Sequence, residues 1–153
     1  MIIFVADAFT DEYVGGAELT TEAIISSSLL PGARIRSVEV TQKLMKDMKD
    51  CFWIFGNFAS LKEECILYAI KNLNYSVLEY DYKYCKFRSP GKHRKVLGEC
   101  DCHDTTPGRI RALFLAKSKI NWWMSDKQRE KQQGFFPFLA GETLSSVFSH
   151  ETL

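Results

Sequence analysis

The chain has 153 residues, of which 46% are hydrophobic and 25% are charged. These values are ordinary for a globular protein, and the length fits one domain that buries about 68–70% of its unfolded surface. The formal net charge of +1 argues against a general nucleic-acid binder, whose affinity comes mainly from neutralising phosphates. We therefore predict one domain over residues 1–153, with no nucleic acid among its partners.

The amino-terminal run MIIFVADAF is apolar but short, and it reaches Asp7 without a basic segment before it. This pattern favours a buried strand over a signal peptide. No apolar run approaches the roughly 20 residues of a membrane helix. We therefore expect a cytoplasmic protein with no integral membrane segment. In that compartment the five cysteines are expected to be thiols or metal ligands rather than disulfides.

Apolar runs and alternating patterns predict six strands, at residues 2–5, 34–40, 51–55, 75–80, 120–124 and 143–148. Helical periodicity and capping residues predict the intervening helices, at 17–30, 41–48, 60–71, 106–117 and 126–133. Ser60 and Glu63 have the spacing of a capping box. Residues 81–106 are predicted to form a long irregular loop, and loops of this length in compact domains are often functional or disordered. This alternation predicts a Rossmann-like α/β three-layer sandwich with about six mainly parallel strands.

Two glycines, Gly15 and Gly16, stand between the first strand and the first helix, in the segment DAFTDEYVGGAE. Exposed N–H groups and the helix dipole attract anions to such a helix start, and glycine lets a ligand approach the backbone closely. The turn therefore predicts a phosphate site. The dinucleotide fingerprint G-x-G-x-x-G is absent, and a tight strand-to-helix turn without a ligand is the alternative.

Further segments follow this turn in a fixed order. A short strand leads to GGAE at the first helix, then come CFWIFGNF and EYDYKYCKFRSP, and NWWMSDKQREK comes last. In this order the segments resemble the N-terminal domain of GT-B fold glycosyltransferases, most closely the retaining group called group 1 or family 4. The resemblance covers nearly the whole chain, and GGAE is its most specific motif. Where many family members carry a histidine, this chain has Tyr80.

The resemblance implies transfer of a sugar from a nucleotide-sugar donor to an unknown acceptor, either a sugar or another hydroxyl compound. It assigns the GGAE motif to the substrate or its phosphate, and the predicted strand ends add three candidates for sugar hydroxyls. The candidate substrate- and phosphate-binding residues are Gly15, Gly16, Ala17, Glu18, Asn57, Asp81 and Ser125. No catalytic residue stands out, because no local signature of a nucleophile and its base is present.

Members of this family also need a second Rossmann domain, which binds the donor and carries a Glu-x7-Glu motif. No pair of glutamates has that spacing here. We therefore expect this chain to be the acceptor-side half of an enzyme, with the C-terminal donor-binding domain absent from it or supplied as another subunit.

Three cysteines and a histidine lie close together in the predicted loop: Cys85, Cys100, Cys102 and His103. Thiolates and an imidazole are ligands that bind zinc tetrahedrally, although Cys-x-Cys-His is tighter than the usual Cys-x2-Cys. In the alternative interpretation, Cys85 is predicted to be a small apolar core residue, and Cys100 and Cys102 are predicted to be unligated thiols.

The same loop carries a basic stretch interleaved with aromatic residues. Its basic members are Lys83, Lys86, Arg88, Lys92, His93, Arg94 and Lys95. They could contact an anionic acceptor or single-stranded nucleic acid, and a solvated loop is the alternative. Two further functions stay open for the whole chain: a non-catalytic Rossmann-like binding module, and a zinc-stabilised structural domain.

Overall fold

The computed structural model describes residues 1–9, 16–27, 32–80 and 82–144. Its strands are β1 (Ile2–Ala6), β2 (Gly32–Arg36), β3 (Phe52–Phe55), β4 (Asn74–Glu79), β5 (Asn121–Trp123) and β6 (Gly141–Thr143). They form one sheet in the order β2-β1-β3-β4-β5-β6, and every neighbouring pair is parallel. The sheet confirms the predicted α/β class.

The described helices are α1 (Gly16–Ser27), α2 (Gln42–Asp47), α3 (Glu63–Asn72), α4 (Pro90–Leu97), α5 (Thr106–Lys117) and α6 (Asp126–Phe135). Two 3₁₀ turns lie at Ser37–Glu39 and Cys102–Asp104. Four of the helices start at a Ser or Thr whose side chain accepts a backbone N–H of the first turn. Such caps stabilise a helix start because its first N–H groups have no partner within the helix.

Apolar side chains cover both faces of the sheet, as expected for a three-layer sandwich. The larger core joins α2, α3 and α5 to one face and includes Trp53, Phe55 and Trp123, all fully buried. The smaller core joins Ile24 and Ile25 of α1 to the other face of β1. Alternate residues of a strand point to opposite faces, so the apolar run of β1 contributes to both cores.

The second predicted strand ends earlier than expected, and this part of the prediction is wrong. Residues 37–39 form a 3₁₀ turn, closed by the Val40 N–H donating to the Ser37 carbonyl at 3.3 Å. The Ser37 hydroxyl donates to the Asp7 carboxylate, which pulls the chain away from the sheet. Val38, predicted to lie on an alternating strand, is therefore 59% exposed.

The predicted capping box of Ser60 and Glu63 does not form either. Helix α3 starts at Glu63 after Lys62, which makes no side-chain cap. The Ser60 N–H instead donates to the Asp7 carboxylate at 3.1 Å, and the Ala59 N–H donates to the other oxygen of that carboxylate at 3.1 Å. Asp7 thereby binds the turn after β3 to the end of β1.

The segment predicted as an irregular loop, 81–106, contains helix α4 and the second 3₁₀ turn. Ser89 caps α4 and Pro90 stands in its first turn, which is a favourable helix start. The last predicted strand is found earlier, at β6, and residues 145–148 of that prediction lie outside the described residues.

The order of the strands places a topological switch between β1 and β3. From β1 the chain passes through α1 to β2 at one edge, and it then returns beyond β1 to continue from β3 to β6. Ligands of open parallel sheets bind outside the carboxyl ends of the strands at such a switch. Two predicted binding segments, the GGAE motif and Asn57, follow these two strands in the sequence.

Candidate metal centre and ligand cleft

Four potential metal ligands meet in the segment that follows β4: Cys85, His93, Cys100 and Cys102. Their ligand atoms all lie within 4.8 Å of one another. His93 Nδ1 is 3.6 Å from Cys85 Sγ and 3.4 Å from Cys102 Sγ, and the Sγ atoms of Cys85 and Cys100 are 3.7 Å apart. Cys100 is half-buried and the other three are buried. This group, called the metal centre below, could hold a metal ion.

Three short elements bring the ligands of the metal centre together. Cys85 lies in a tight turn in which its N–H donates to the Tyr82 carbonyl at 3.0 Å. Helix α4, started by Ser89, carries His93 on its buried side. Cys102 opens the second 3₁₀ turn, directly before α5. Backbone hydrogen bonds define these elements and set the positions from which Cys85, His93 and Cys102 reach one another.

The predicted ligand His103 is not in the metal centre, and His93 is found in its place. The His103 ring stacks on Phe135 with centroids 4.3 Å apart, and its Nε2 lies 3.4 Å from an Asp104 oxygen. Successive residues of a 3₁₀ helix are rotated by about 120° around its axis. His103 therefore points away from the side on which Cys102 reaches the other ligands.

The surroundings of Cys100 disfavour its charged thiolate. Burial raises the pKa of the Cys100 thiol to about 11, and the neighbouring Cys85 side chain raises it further. A hydrogen bond with the Cys102 backbone opposes these effects. A bound cation favours the thiolate and displaces the proton.

The amino end of α1 lies near Tyr80, the residue after β4. Gly16 is the first residue of α1, and Ala17 and Glu18 follow it as half-buried residues. Thr21 of α1 shares a 2.7 Å hydrogen bond with the Tyr80 hydroxyl. Burial raises the pKa of Tyr80 to about 12, the Thr21 hydrogen bond lowers it, and the charge of Glu18 raises it.

Two other predicted binding residues, Asn57 and Ser125, lie among the described residues. Asn57 accepts a 3.0 Å hydrogen bond from Lys83 Nζ. Ser125 caps α6, because its hydroxyl oxygen accepts the Gln128 N–H at 3.1 Å. Gly15 and Asp81 lie outside the described residues.

A buried polar network, which the sequence analysis missed, joins the ends of β3, β4 and β5. The Trp123 ring N–H donates to Gln132 at 2.8 Å, and the Gln132 amide donates to Glu79 at 3.3 Å. Glu79 also pairs with Lys83 Nζ at 3.0 Å, and both side chains are almost completely buried. Lys83 continues the network to Asn57. Burying two charges is favourable only when they are paired and hydrogen-bonded in this way.

Comparisons with protein-family models, with curated proteins and with solved structures found no match to this chain. Among the described residues, no helix combines the length and the apolar character needed to cross a membrane. Function therefore has to be inferred from the geometry of the described residues.

Proposed function

We propose that this chain is a zinc-binding Rossmann-like domain, in which zinc joins the segment after β4 to the start of α5. The observation that carries the proposal is the spacing of the ligand atoms. The two sulfur–nitrogen distances are 3.4 and 3.6 Å, and the sulfur–sulfur distance between Cys85 and Cys100 is 3.7 Å. A tetrahedral zinc ion bound at about 2.3 Å to sulfur and about 2.0–2.1 Å to nitrogen holds two sulfurs about 3.8 Å apart and a sulfur and a nitrogen about 3.6 Å apart. The spacing thus matches that of a zinc site.

The ligand types and their number favour structural zinc. Three thiolates and one imidazole are soft ligands that suit zinc, whereas magnesium and calcium prefer oxygen. Structural zinc sites use four protein ligands, while catalytic sites keep one position for water or substrate. Four side chains are available here, so we expect zinc to stabilise the fold rather than to activate water.

Metal analysis of the purified chain tests this proposal. We expect one zinc ion per chain, and after replacement by cobalt, the visible absorption bands of a tetrahedral thiolate site. His93→Ala and Cys100→Ser should each lose the zinc ion and the cobalt bands. His103→Ala is the matched control, since His103 is the neighbour of a ligand but lies outside the metal centre, and it should keep both.

Two results would overturn the zinc proposal. The first is a parent chain that holds no zinc after growth and purification with zinc present. The second is a reversed pattern, in which His103→Ala loses zinc while a folded His93→Ala keeps it. The melting temperature of each variant, measured with and without a chelator, separates loss of the ion from loss of the fold.

We further propose that the chain supplies the acceptor-side half of a glycosyltransferase that uses a nucleotide-sugar donor. The supporting observations are the switch between β1 and β3 and a helix that starts at Gly16 next to it. Backbone N–H groups at this helix start would bind a phosphate or the transferred sugar. Glu18, in the first turn of α1, would hydrogen-bond an acceptor hydroxyl.

A thermal-shift titration with glucose 1-phosphate tests the transferase proposal, because it carries the phosphate and the sugar that the start of α1 would bind and lacks the nucleotide that the second domain would bind. A ligand that binds only the folded state raises the melting temperature, and Gly16→Val should abolish the rise by placing a side chain at the helix start. Gly134→Val is the control, because no atom lies within 4 Å of a Cβ at that helical position. No rise for the parent chain, or the same rise in Gly16→Val, would contradict the proposal.

A further inference from the structure

A cavity of about 430 Å³ opens beside the metal centre, after the carboxyl ends of β3 and β4. Its size lies within the range of small-molecule sites. Basic side chains from the turn after β4 and from α5 line it together with two metal-centre cysteines, namely Lys83, Lys86, Arg88, Arg111, Cys85 and Cys102. Ala59 and Pro107 add an apolar part of the wall.

Arg88 has a backbone conformation that is unusual for its residue type. Its φ is 60°, in the left-handed region that glycine adopts without strain. Two backbone hydrogen bonds hold it there: its N–H donates to the Cys85 carbonyl at 2.8 Å, and its carbonyl accepts the Tyr82 N–H at 3.2 Å. A large side chain in this region costs about 1 kcal/mol or more, and such residues cluster at functional sites.

Arg111 brings a second guanidinium to the cavity from α5. Its side chain is 23% exposed, and its Nη1 donates to the Pro107 carbonyl at 3.1 Å. Thr105 and Pro107, at the start of α5, line the same cavity. The helix start adds partial positive charge, so two guanidinium groups and a helix dipole favour an anion here.

Acidic side chains lie near both guanidinium groups. Asp7 lies 4.0 Å from the Arg88 guanidinium, and Glu63 lies 3.7 Å from that of Arg111. These distances are long for charge-assisted hydrogen bonds, and partly exposed pairs of this kind contribute at most about 1 kcal/mol. Asp101 also lines the cavity. Lys83 is buried in its ion pair with Glu79, whereas the side chains of Arg88 and Arg111 are partly exposed at the cavity.

We propose that this cavity binds a small phosphate monoester, with the phosphate held by Arg88 and Arg111 and the organic part against Ala59 and Pro107. Guanidinium groups match phosphate oxygens with paired hydrogen bonds. The site depends on the proposed zinc in one respect: Cys85 and Cys102 form both part of its wall and part of the metal centre.

Calorimetric titration of the zinc-loaded chain with inorganic phosphate and with phenyl phosphate tests the proposal. We expect both to bind, and phenyl phosphate to bind more tightly because of the apolar wall. Arg111→Gln should weaken both at least tenfold. Arg109→Gln is the matched control, because Arg109 lies on the same helix, is exposed and does not line the cavity.

Arg88→Gly separates the binding role from folding. Glycine relieves the left-handed backbone but gains freedom in the unfolded chain, so we expect a melting temperature close to that of the parent. Phosphate binding should nevertheless fall at least tenfold. Unchanged binding in Arg88→Gly or Arg111→Gln, or no binding by the parent chain, would overturn the proposal.

The zinc content of every sample keeps this proposal distinguishable from the zinc proposal. Variants of the two arginines that retain zinc and lose phosphate support the cavity. A parent chain that binds phosphate through both arginines but holds no zinc would overturn the metal centre and leave the phosphate site standing. A parent chain that holds zinc and binds neither phosphate nor phenyl phosphate would overturn the phosphate site and leave the metal centre standing.

Discussion

Replacing Gly108 with alanine should damage the fold and the metal centre together. Gly108 lies in the first turn of α5, where alanine normally strengthens a helix. A Cβ at this position, however, would lie 1.9 Å from the carbonyl oxygen of Cys102 and 3.1 Å from the Thr105 hydroxyl. The Cys102 oxygen belongs to the backbone of a metal-centre ligand, so it cannot turn away as a flexible side chain would.

The contacts around this carbonyl set the size of the effect. The oxygen must move by about 1.5 Å to reach ordinary contact. It now accepts hydrogen bonds from the Thr105 hydroxyl at 2.6 Å and the Thr105 N–H at 3.1 Å, each worth about 1 kcal/mol. Loss of the Thr105 cap on Gly108 costs about another 1 kcal/mol, and overpacking costs about 1–3 kcal/mol. The higher helix propensity of alanine offsets about 1 kcal/mol of this destabilisation.

We therefore expect the free energy of unfolding to fall by about 3–5 kcal/mol, which lowers the melting temperature of a chain this size by roughly 6–20 °C. Zinc affinity should fall roughly ten- to hundredfold, as it does when groups that orient a ligand are disturbed. Chemical denaturation and a competition assay with a chromogenic chelator measure the two effects.

Gly134→Ala is the matched control for this prediction. Gly134 is also helical, and no atom lies within 4 Å of its Cβ position. Alanine there should stabilise the chain by about 0.4–1 kcal/mol and leave zinc binding unchanged. If Gly108→Ala melts and binds zinc as the parent does, the close approach of Cys102 to α5 is wrong.

Three further predictions concern buried polar groups and a cap. Lys83→Met should destabilise the chain by about 3–5 kcal/mol, because it removes the cation that lies 3.0 Å from the buried Glu79 carboxylate. Adding Glu79→Gln should recover much of the loss, and denaturation of the single and double variants measures this. Ser125→Ala should lower the free energy of unfolding by about 1 kcal/mol through the lost cap of α6, and chemical denaturation measures this; an unchanged free energy of unfolding would contradict the cap. Burial raises the pKa of Tyr80 from 10 to about 12. The neutral phenol therefore contributes stability that is complete below pH 10 and is lost as the pH rises towards 12. Tyr80→Phe should remove this loss from a plot of the free energy of unfolding against pH.

Local patterns predicted much of the fold correctly. The apolar run at β1 and the run at β3 are buried strands as expected, because parallel strands covered on both faces need continuous apolar sequence. Ser125 and Thr41 cap helices where the sequence indicated helix starts. Each of these signals depends on residues within a few positions of one another, which is the range that a pattern can report.

Helix α4 was missed although the same kind of signal was present. Ser89 followed by Pro90 is a cap and a first-turn proline, and α5 has the same two features in Thr105 and Pro107. The basic residues that follow, including Arg94 and Lys95, indicated a solvated loop instead. They are indeed exposed, but the helix turns His93 inward between them, so a charged run concealed a buried ligand.

Sequence by itself determined that strands and helices alternate, that α5 and α6 start at capped turns, and that Cys85, Cys100 and Cys102 are near one another along the chain. Only the tertiary structure decided which histidine joins them. His103 is adjacent to Cys102 but is turned away by the 3₁₀ geometry, while His93 reaches the cysteines because α4 packs against the segment after β4. The arrangement of side chains around a metal depends on distances in space, and those distances are set by packing between elements rather than by separation along the chain.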